Sequence, residues 1–194
     1  ITVVFSYNGV AVDGSDFIGT VSVVIPAGST STQFEVPVLN DGIVEGQESL
    51  VINIASVTGG EAEVSGQDSA VITVIDNDVI PDISINDVNV DEGAGVATFT
   101  VLLNASSGSV ITVDYATATG SAGAGDFTGA NGTVTFAPGV TTQTISVAIT
   151  EDMLVEGVEA FVVNLTNATG GAVIVDAQAV ATISDSSDLS QLTL

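Results

Sequence analysis

EDMLVEGVEAFVVNL, residues 151–165, is an acidic loop running into a segment that alternates apolar and polar side chains. Residues 40–54, NDGIVEGQESLVINI, repeat the arrangement. Asp41, Glu45, Glu48, Asn53 and Gly59 fall on Asp152, Glu156, Glu159, Asn164 and Gly170 at a constant separation of 111 residues. A period that long is one whole domain per repeat rather than a solenoid turn. Alternation with a period of two marks a strand that gives one face to a core.

Outward from these two loops the chain reads as strands separated by Gly, Pro, Asn and Asp clusters, with no helical period. The second repeat is predicted to hold seven strands, at 83–90, 95–103, 109–117, 132–136, 142–149, 159–166 and 178–184. In the first, ITVVFS, QFEVPV, SLVINI and AVITVI are the strand candidates, with Pro37 marking a sheet edge because it cannot donate to a ladder. Aligning the repeats puts Ile1 on Ile111, so the first repeat lacks two strands and the chain is expected to be cut from something longer. The expected fold is all-β, two tandem immunoglobulin-like antiparallel sandwiches over residues 1–79 and 80–194, the first without its first two strands. DNDVIPD, residues 76–82, is too short and too apolar for a free linker and is expected to be a stiff hinge.

Composition narrows the function. Among 194 residues there are 24 Asp and Glu and no Lys, Arg or His, for a net charge of −24, while hydrophobic residues at 45% suffice for real cores. Every carboxylate must therefore be solvated, protonated or neutralised by a cation from outside. The same absence removes histidine bases, lysine Schiff bases and arginine clamps, and no cysteine nucleophile exists, so an enzyme is not expected. Nucleic acid and anionic membrane surfaces would be repelled. No apolar run approaches the roughly 20 residues that span a bilayer, and direct membrane insertion is not expected.

Strand direction decides where the acids go. In an up-and-down run of seven strands, the odd-numbered connections share one end. That end collects Asp91 and Glu92, then Asp126, then Glu151, Asp152 and Glu156, then Asp185 and Asp188. The opposite end receives short neutral turns. The first repeat collects Asp16, then Asn40, Asp41 and Glu45, then Asp76, Asn77 and Asp78. Like charges a few ångströms apart cost about 1 kcal/mol per pair even in water. Oxygen ligands without His or Cys select calcium or magnesium, and carboxylates from several loops suit calcium's flexible shell better than magnesium's octahedron. Glu48 and Glu159, at strand starts, read as structural or supporting residues. Glu35, Glu61, Glu63, Asp68 and Asp114 read as solubilising surface.

The segments VDEGAGVATFTVLL, VDYATATGSAGAGDF, GTVTFAPGVTTQTISVAI, EDMLVEGVEAFVVNL and ATISDSSD resemble a Calx-β domain over nearly all of residues 82–188, and the first repeat matches from its third strand onward. The resemblance implies calcium ligands at Glu92, Asp126, Glu151, Asp152, Glu156 and Asp185 with the Leu154 carbonyl, and at Asp16, Asn40, Asp41, Glu45, Asp76, Asn77 and Asp78 with the Ile43 carbonyl. Strongly binding members carry full acidic triplets where this chain has NDG and DND in one repeat and EDM and DSS in the other, which implies weaker or fewer ions, above all in the second. The expected role is a calcium-binding structural repeat of a large secreted or cell-surface adhesin-like stalk, calcium stiffening the junction and the partners being neighbouring repeats. The alternative is an extracellular filament subunit completed by strands from a neighbouring subunit.

Overall fold

The structure is a computed structural model and describes residues 1–152 and 154–185; Asp188 and the tail DLSQLTL lie outside them. The chain divides into two units, the first Ile1–Asp78 and the second beginning at Val79.

Unit 2 is a sandwich of two sheets. Its strands are β5 (Asp82–Ile85), β6 (Val88–Asp91), β7 (Val96–Leu103), β8 (Ile111–Thr119), β9 (Asn131–Phe136), β10 (Thr142–Ala148), β11 (Glu159–Thr166), β12 (Val173–Ile174) and β13 (Gln178–Ser184), following β1 to β4 of unit 1. One sheet has the order β10-β7-β5-β12 and the other β6-β13-β11-β8-β9. The core lies between them. Phe161 on β11 stacks on Phe127 (centroids 4.1 Å apart, rings 12° from parallel) and meets Phe99 on β7 edge-on at 6.0 Å. Ile83, Val101, Ile111, Val147, Val163 and Ala181 complete it from both faces. Burial alternates along β11 and β13, as a period of two requires.

The structure departs from the sequence expectation in two places. The strands do alternate in direction, but they do not form an up-and-down meander, because consecutive strands are distributed over two sheets. The segment 83–90 is also two strands, not one. It breaks at Asn86 and Asp87, where the chain leaves β7 as partner and joins β13 in parallel. Asp87 Oδ1 accepts from the Val180 N–H at 2.8 Å, so a side chain supplies the ladder bond that the break would lose.

Unit 1 is a single antiparallel sheet of order β2-β1-β3-β4, built from β1 (Thr2–Gly9), β2 (Ser22–Val24), β3 (Glu48–Thr58) and β4 (Ser69–Val74). These correspond to β8, β9, β11 and β13 and pair in the same order. The QFEVPV segment, residues 33–38, was expected to be a strand and is not one. Its counterpart β10 exists by pairing with β7 from Thr142 to Ala148, and no counterpart of β7 is present among the described residues of unit 1. An alternating pattern without a ladder partner leaves its backbone groups unmatched, so the segment holds only isolated contacts, such as Ile18 N–H to the Pro37 carbonyl at 2.9 Å and one bridge between Phe17 and Val38. The core is correspondingly small: Ala11, Phe17, Leu50 and Ile52, with Phe5, Tyr7, Val36 and Val74 against it.

One glycine pair shapes both acidic ends. Gly9 and Gly120 close β1 and β8 at the repeat spacing, and a Cβ would lie 2.0 Å from the Ser49 carbonyl oxygen at Gly9 and 2.4 Å from that of Ala160 at Gly120. Only glycine lets the strand end pass this close to its neighbour. Those same oxygens accept the N–H groups of Ala11 and Ala122, which starts each loop toward its aspartate.

Candidate metal centre

In unit 2 a single 3-10 turn, Glu92–Ala94, follows β6. Asp91 caps it by accepting from the Gly93 N–H, and Gly95 ends it at φ 72° with its N–H on the Glu92 carbonyl. This turn faces Glu92 inward, where only 3% of it is exposed. Glu92 Oε1 accepts from the Asp152 N–H at 3.2 Å. Asp126 Oδ2 accepts from the Gly123 N–H, and its carbonyl takes the Thr150 N–H at 2.9 Å, tying the loop after β8 to the loop after β10. Asp152 Oδ1 holds the Leu154 N–H at 2.7 Å, and Asp185 Oδ2 holds the Glu156 N–H at 2.7 Å.

These bonds gather the acids. Carboxylate oxygens of Glu92, Asp152 and Glu156 lie within 4.8 Å of one another, and so do those of Asp126, Glu156 and Glu159. Glu156 belongs to both groups. Glu151 is exposed and reaches the site through its charge on Glu92.

Unit 1 repeats the aspartate bonds of this plan, with no counterpart of the Glu92–Asp152 bond among its described residues. Asp16 Oδ2 accepts from Val12 N–H and its carbonyl from Leu39 N–H; Asp41 Oδ1 accepts from Ile43 N–H at 2.8 Å; Asp76 Oδ2 accepts from Glu45 N–H at 2.6 Å. Carboxylate oxygens of Asp16, Glu45 and Glu48 lie within 4.8 Å of one another. A cavity of about 120 Å³ contains all eight residues expected there, Asp16, Asn40, Asp41, Ile43, Glu45, Asp76, Asn77 and Asp78, together with Glu48.

Glu48 and Glu159 were assigned a supporting role and stand inside the clusters instead. The signal was present, since they occupy matching positions at the repeat spacing. Asp114, expected as plain surface, accepts from Thr133 Oγ1 at 2.6 Å and Asn167 Nδ2 at 3.1 Å, bonds that hold its carboxyl below the usual range.

Electrostatics at both ends run against ionisation. Desolvation raises Glu92 first, with the charges of Asp152, Glu151 and Asp185 adding to it against the Asp152 N–H bond. Glu156 is raised by desolvation and then by Asp126, Asp152 and Asp185; Glu159 by desolvation and then by its neighbour Asp126. In unit 1 desolvation followed by Asp16 raises both Glu45 and Glu48. Asp76 goes the other way, lowered by the N–H groups of Asp78 and Glu45. Glu48 Oε2 is buried with no hydrogen-bond partner among the described residues, an acceptor of the kind that is costly unless a proton or a cation meets it. An all-oxygen donor set with such an orphaned acceptor fits a hard divalent cation.

Solved structures with this fold are recognisable. The apo-form Calx CBD1 domain is 28% identical, with a TM-score of 0.51, over 55% of this chain and 98% of that one. The calcium binding domain CBD12 of CALX1.1 is 29% identical, with a TM-score of 0.50, over 53% of this chain and 45% of that one, so the match spans less than half of its length. The Calx CBD2 domain shares the fold at 16% identity, with a TM-score of 0.51, over 57% of this chain and 90% of that one. The family model for the Calx-beta domain matches twice, at residues 2–78 and 79–187. The chain belongs to the Calx-beta domain family and carries that domain in tandem.

Proposed function

We propose that the chain is a calcium-binding structural repeat of a large secreted or cell-surface stalk protein. The observation behind this reading is the duplicated acid cluster in a chain with no basic side chain to balance it. Calcium binding, for which CBD12 of CALX1.1 is named, is here assigned to Glu92, Asp126, Asp152, Glu156, Glu159 and Asp185 in unit 2, with Glu151 strengthening the field and Leu154 held for its carbonyl. In unit 1 it is assigned to Asp16, Glu45, Glu48 and Asp76, with Asn40, Asp41, Ile43, Asn77 and Asp78 around them. Asp76, Asn77 and Asp78 are also the last residues of unit 1, so an ion there fixes the path by which the chain leaves that unit. No catalytic role is assigned, and neighbouring repeats are the expected partners. An extracellular setting agrees with a surface that offers trypsin-like proteases no Lys or Arg. Calorimetric titration of the chelator-stripped chain with CaCl2 and then MgCl2 tests the ion. Saturable heat with calcium at a higher affinity than magnesium supports the reading; no saturable binding of either ion up to millimolar concentrations overturns it.

A further inference from the structure

In unit 2 the chain passes from β5 to β7 by way of a sheet edge. Ile83 and Ile85 hold β5 in the core, and Ala97 and Phe99 hold β7 there. Between them β6 lies at the rim of its sheet, hydrogen-bonded to β13. None of its four residues is buried, and Val88 and Val90 only lean on the core. Among the described residues from Asn86 to Val96, Glu92 alone is buried. A buried apolar side chain would anchor this segment under any condition, but a buried carboxylate is costly until a cation meets its charge. Here that charge also faces Asp152, Glu151 and Asp185, in a sequence with no Lys, Arg or His to offset it. Beyond the ladder the ties are polar: Asp87 Oδ1 accepts from the Val180 N–H at 2.8 Å, Ser184 Oγ donates to the Val90 carbonyl at 3.4 Å, and the Gly95 carbonyl accepts from the Ile149 N–H at 3.1 Å.

We infer that residues 86–95 form a latch on the edge of β13 that a bound cation closes. With calcium among Glu92, Asp152 and Glu156 the segment is seated; without it β6 lifts from β13 while β5 and β7 stay in the core. The exposed pair Asn86 and Asp87 at one end, and Gly93 and Gly95 at the other, give the segment its hinges. Opening is local because it breaks one edge ladder and uncovers little apolar surface. It bares the outer edge of β13, the Val180 N–H included. The inference rests on the calcium reading and goes beyond it by naming the strand that the ion controls.

The test is amide hydrogen exchange on the full chain in CaCl2 and in EDTA, at about pH 8, where carboxylates are ionised. The expected result is a calcium-induced slowing at residues 88–91 and at the Val180 N–H that is about tenfold or more beyond the slowing at residues 161–165 of β11. Equal slowing at both places, with calcium shown by calorimetry to be bound, overturns the latch and leaves the calcium reading standing. Absence of bound calcium removes both. A second arm uses Glu92→Gln, which keeps an acceptor for the Asp152 N–H and drops the charge. In EDTA this variant is expected to exchange more slowly at 88–91 than the native chain does, again relative to 161–165, and to gain little more from calcium. Exchange there at or above the native rate in EDTA overturns the latch, since its seat would then owe nothing to the charge of Glu92.

Discussion

Residues 33–38 and 144–149 are counterparts, and only the second set contributes to a strand, β10. Around them the two units agree in the order of their shared strands, in the glycine that closes the first of these, and in the aspartates that hold the acidic loops. Unit 1 thus keeps its acidic end without a second sheet. The loops there are fixed by bonds within that sheet and between the loops themselves. Among the described residues its buried core is the smaller of the two. Among the described residues Glu92 has no counterpart in unit 1, where one group of acids is drawn together instead of two.

The largest difference between the units is expected at the matched core position. Phe161→Ala removes the ring between Phe99 and Phe127 and should destabilise unit 2 by about 3–5 kcal/mol. Leu50→Ala, its counterpart opposite Ile72, should cost less than the usual range for a buried leucine because an open face collapses more readily. Separate thermal or denaturant transitions for the two units would show it; equal losses would contradict the half-sandwich description. Calcium comes next. At a hundred times its dissociation constant, one bound ion stabilises the folded state by about 2.7 kcal/mol, and Glu156→Gln should remove more calcium from unit 2 than Glu45→Gln does from unit 1, since Glu156 serves two groups. Calorimetric stoichiometry checks this. Gly120→Ala forces a Cβ against the Ala160 carbonyl and should cost about 1–3 kcal/mol, with calcium affinity falling because the Asp126 loop starts there. Melting of the variant with and without calcium separates the two losses.

The smallest effect is on pH, and its sign depends on the ion. Glu45, Glu48, Glu92, Glu156 and Glu159 have folded-state pKa values above their ordinary range, so between the unfolded and folded values the native chain binds more protons than the unfolded one. Stability without calcium therefore falls as pH rises through that window. Asp76 and Asp114 contribute oppositely, stabilising above their ordinary values and losing that as pH falls through their depressed ones. The window of the five glutamates lies above that of the two aspartates, so acidifying the EDTA-treated chain from neutrality should first raise its melting temperature. Acidifying the calcium-loaded chain should lower it, because protons displace the ion. Parallel slopes in the two conditions would argue against calcium at these groups.

The acidic ends were legible in the sequence because strand direction alternates whatever sheet each strand joins. Asp126, Asp152 and Glu156 needed only that parity to be placed together. Sheet membership was not legible. Nothing in 83–90 distinguishes one strand from two until Asp87 is seen to accept from Val180, a bond between residues far apart in the chain. Nor does QFEVPV differ in pattern from TQTISVAI; a strand is a property of a pair, and the pair was incomplete. Glu48 and Glu159 were underread because a strand's first residue was assigned to the ladder, although their side chains reach into the loop cluster.

The parallel pairing of β6 with β13 has a consequence for a chain under tension. β6 and β13, the last described strand of unit 2, run the same way, with Val88 to Asp91 lying against Ala181 to Ser184. A pull applied at the two ends of the unit would load these bonds in shear, so that they resist together instead of unzipping singly. Forced unfolding is governed by the barrier to breaking such a set, and this clamp lies beside the turn that seats Glu92.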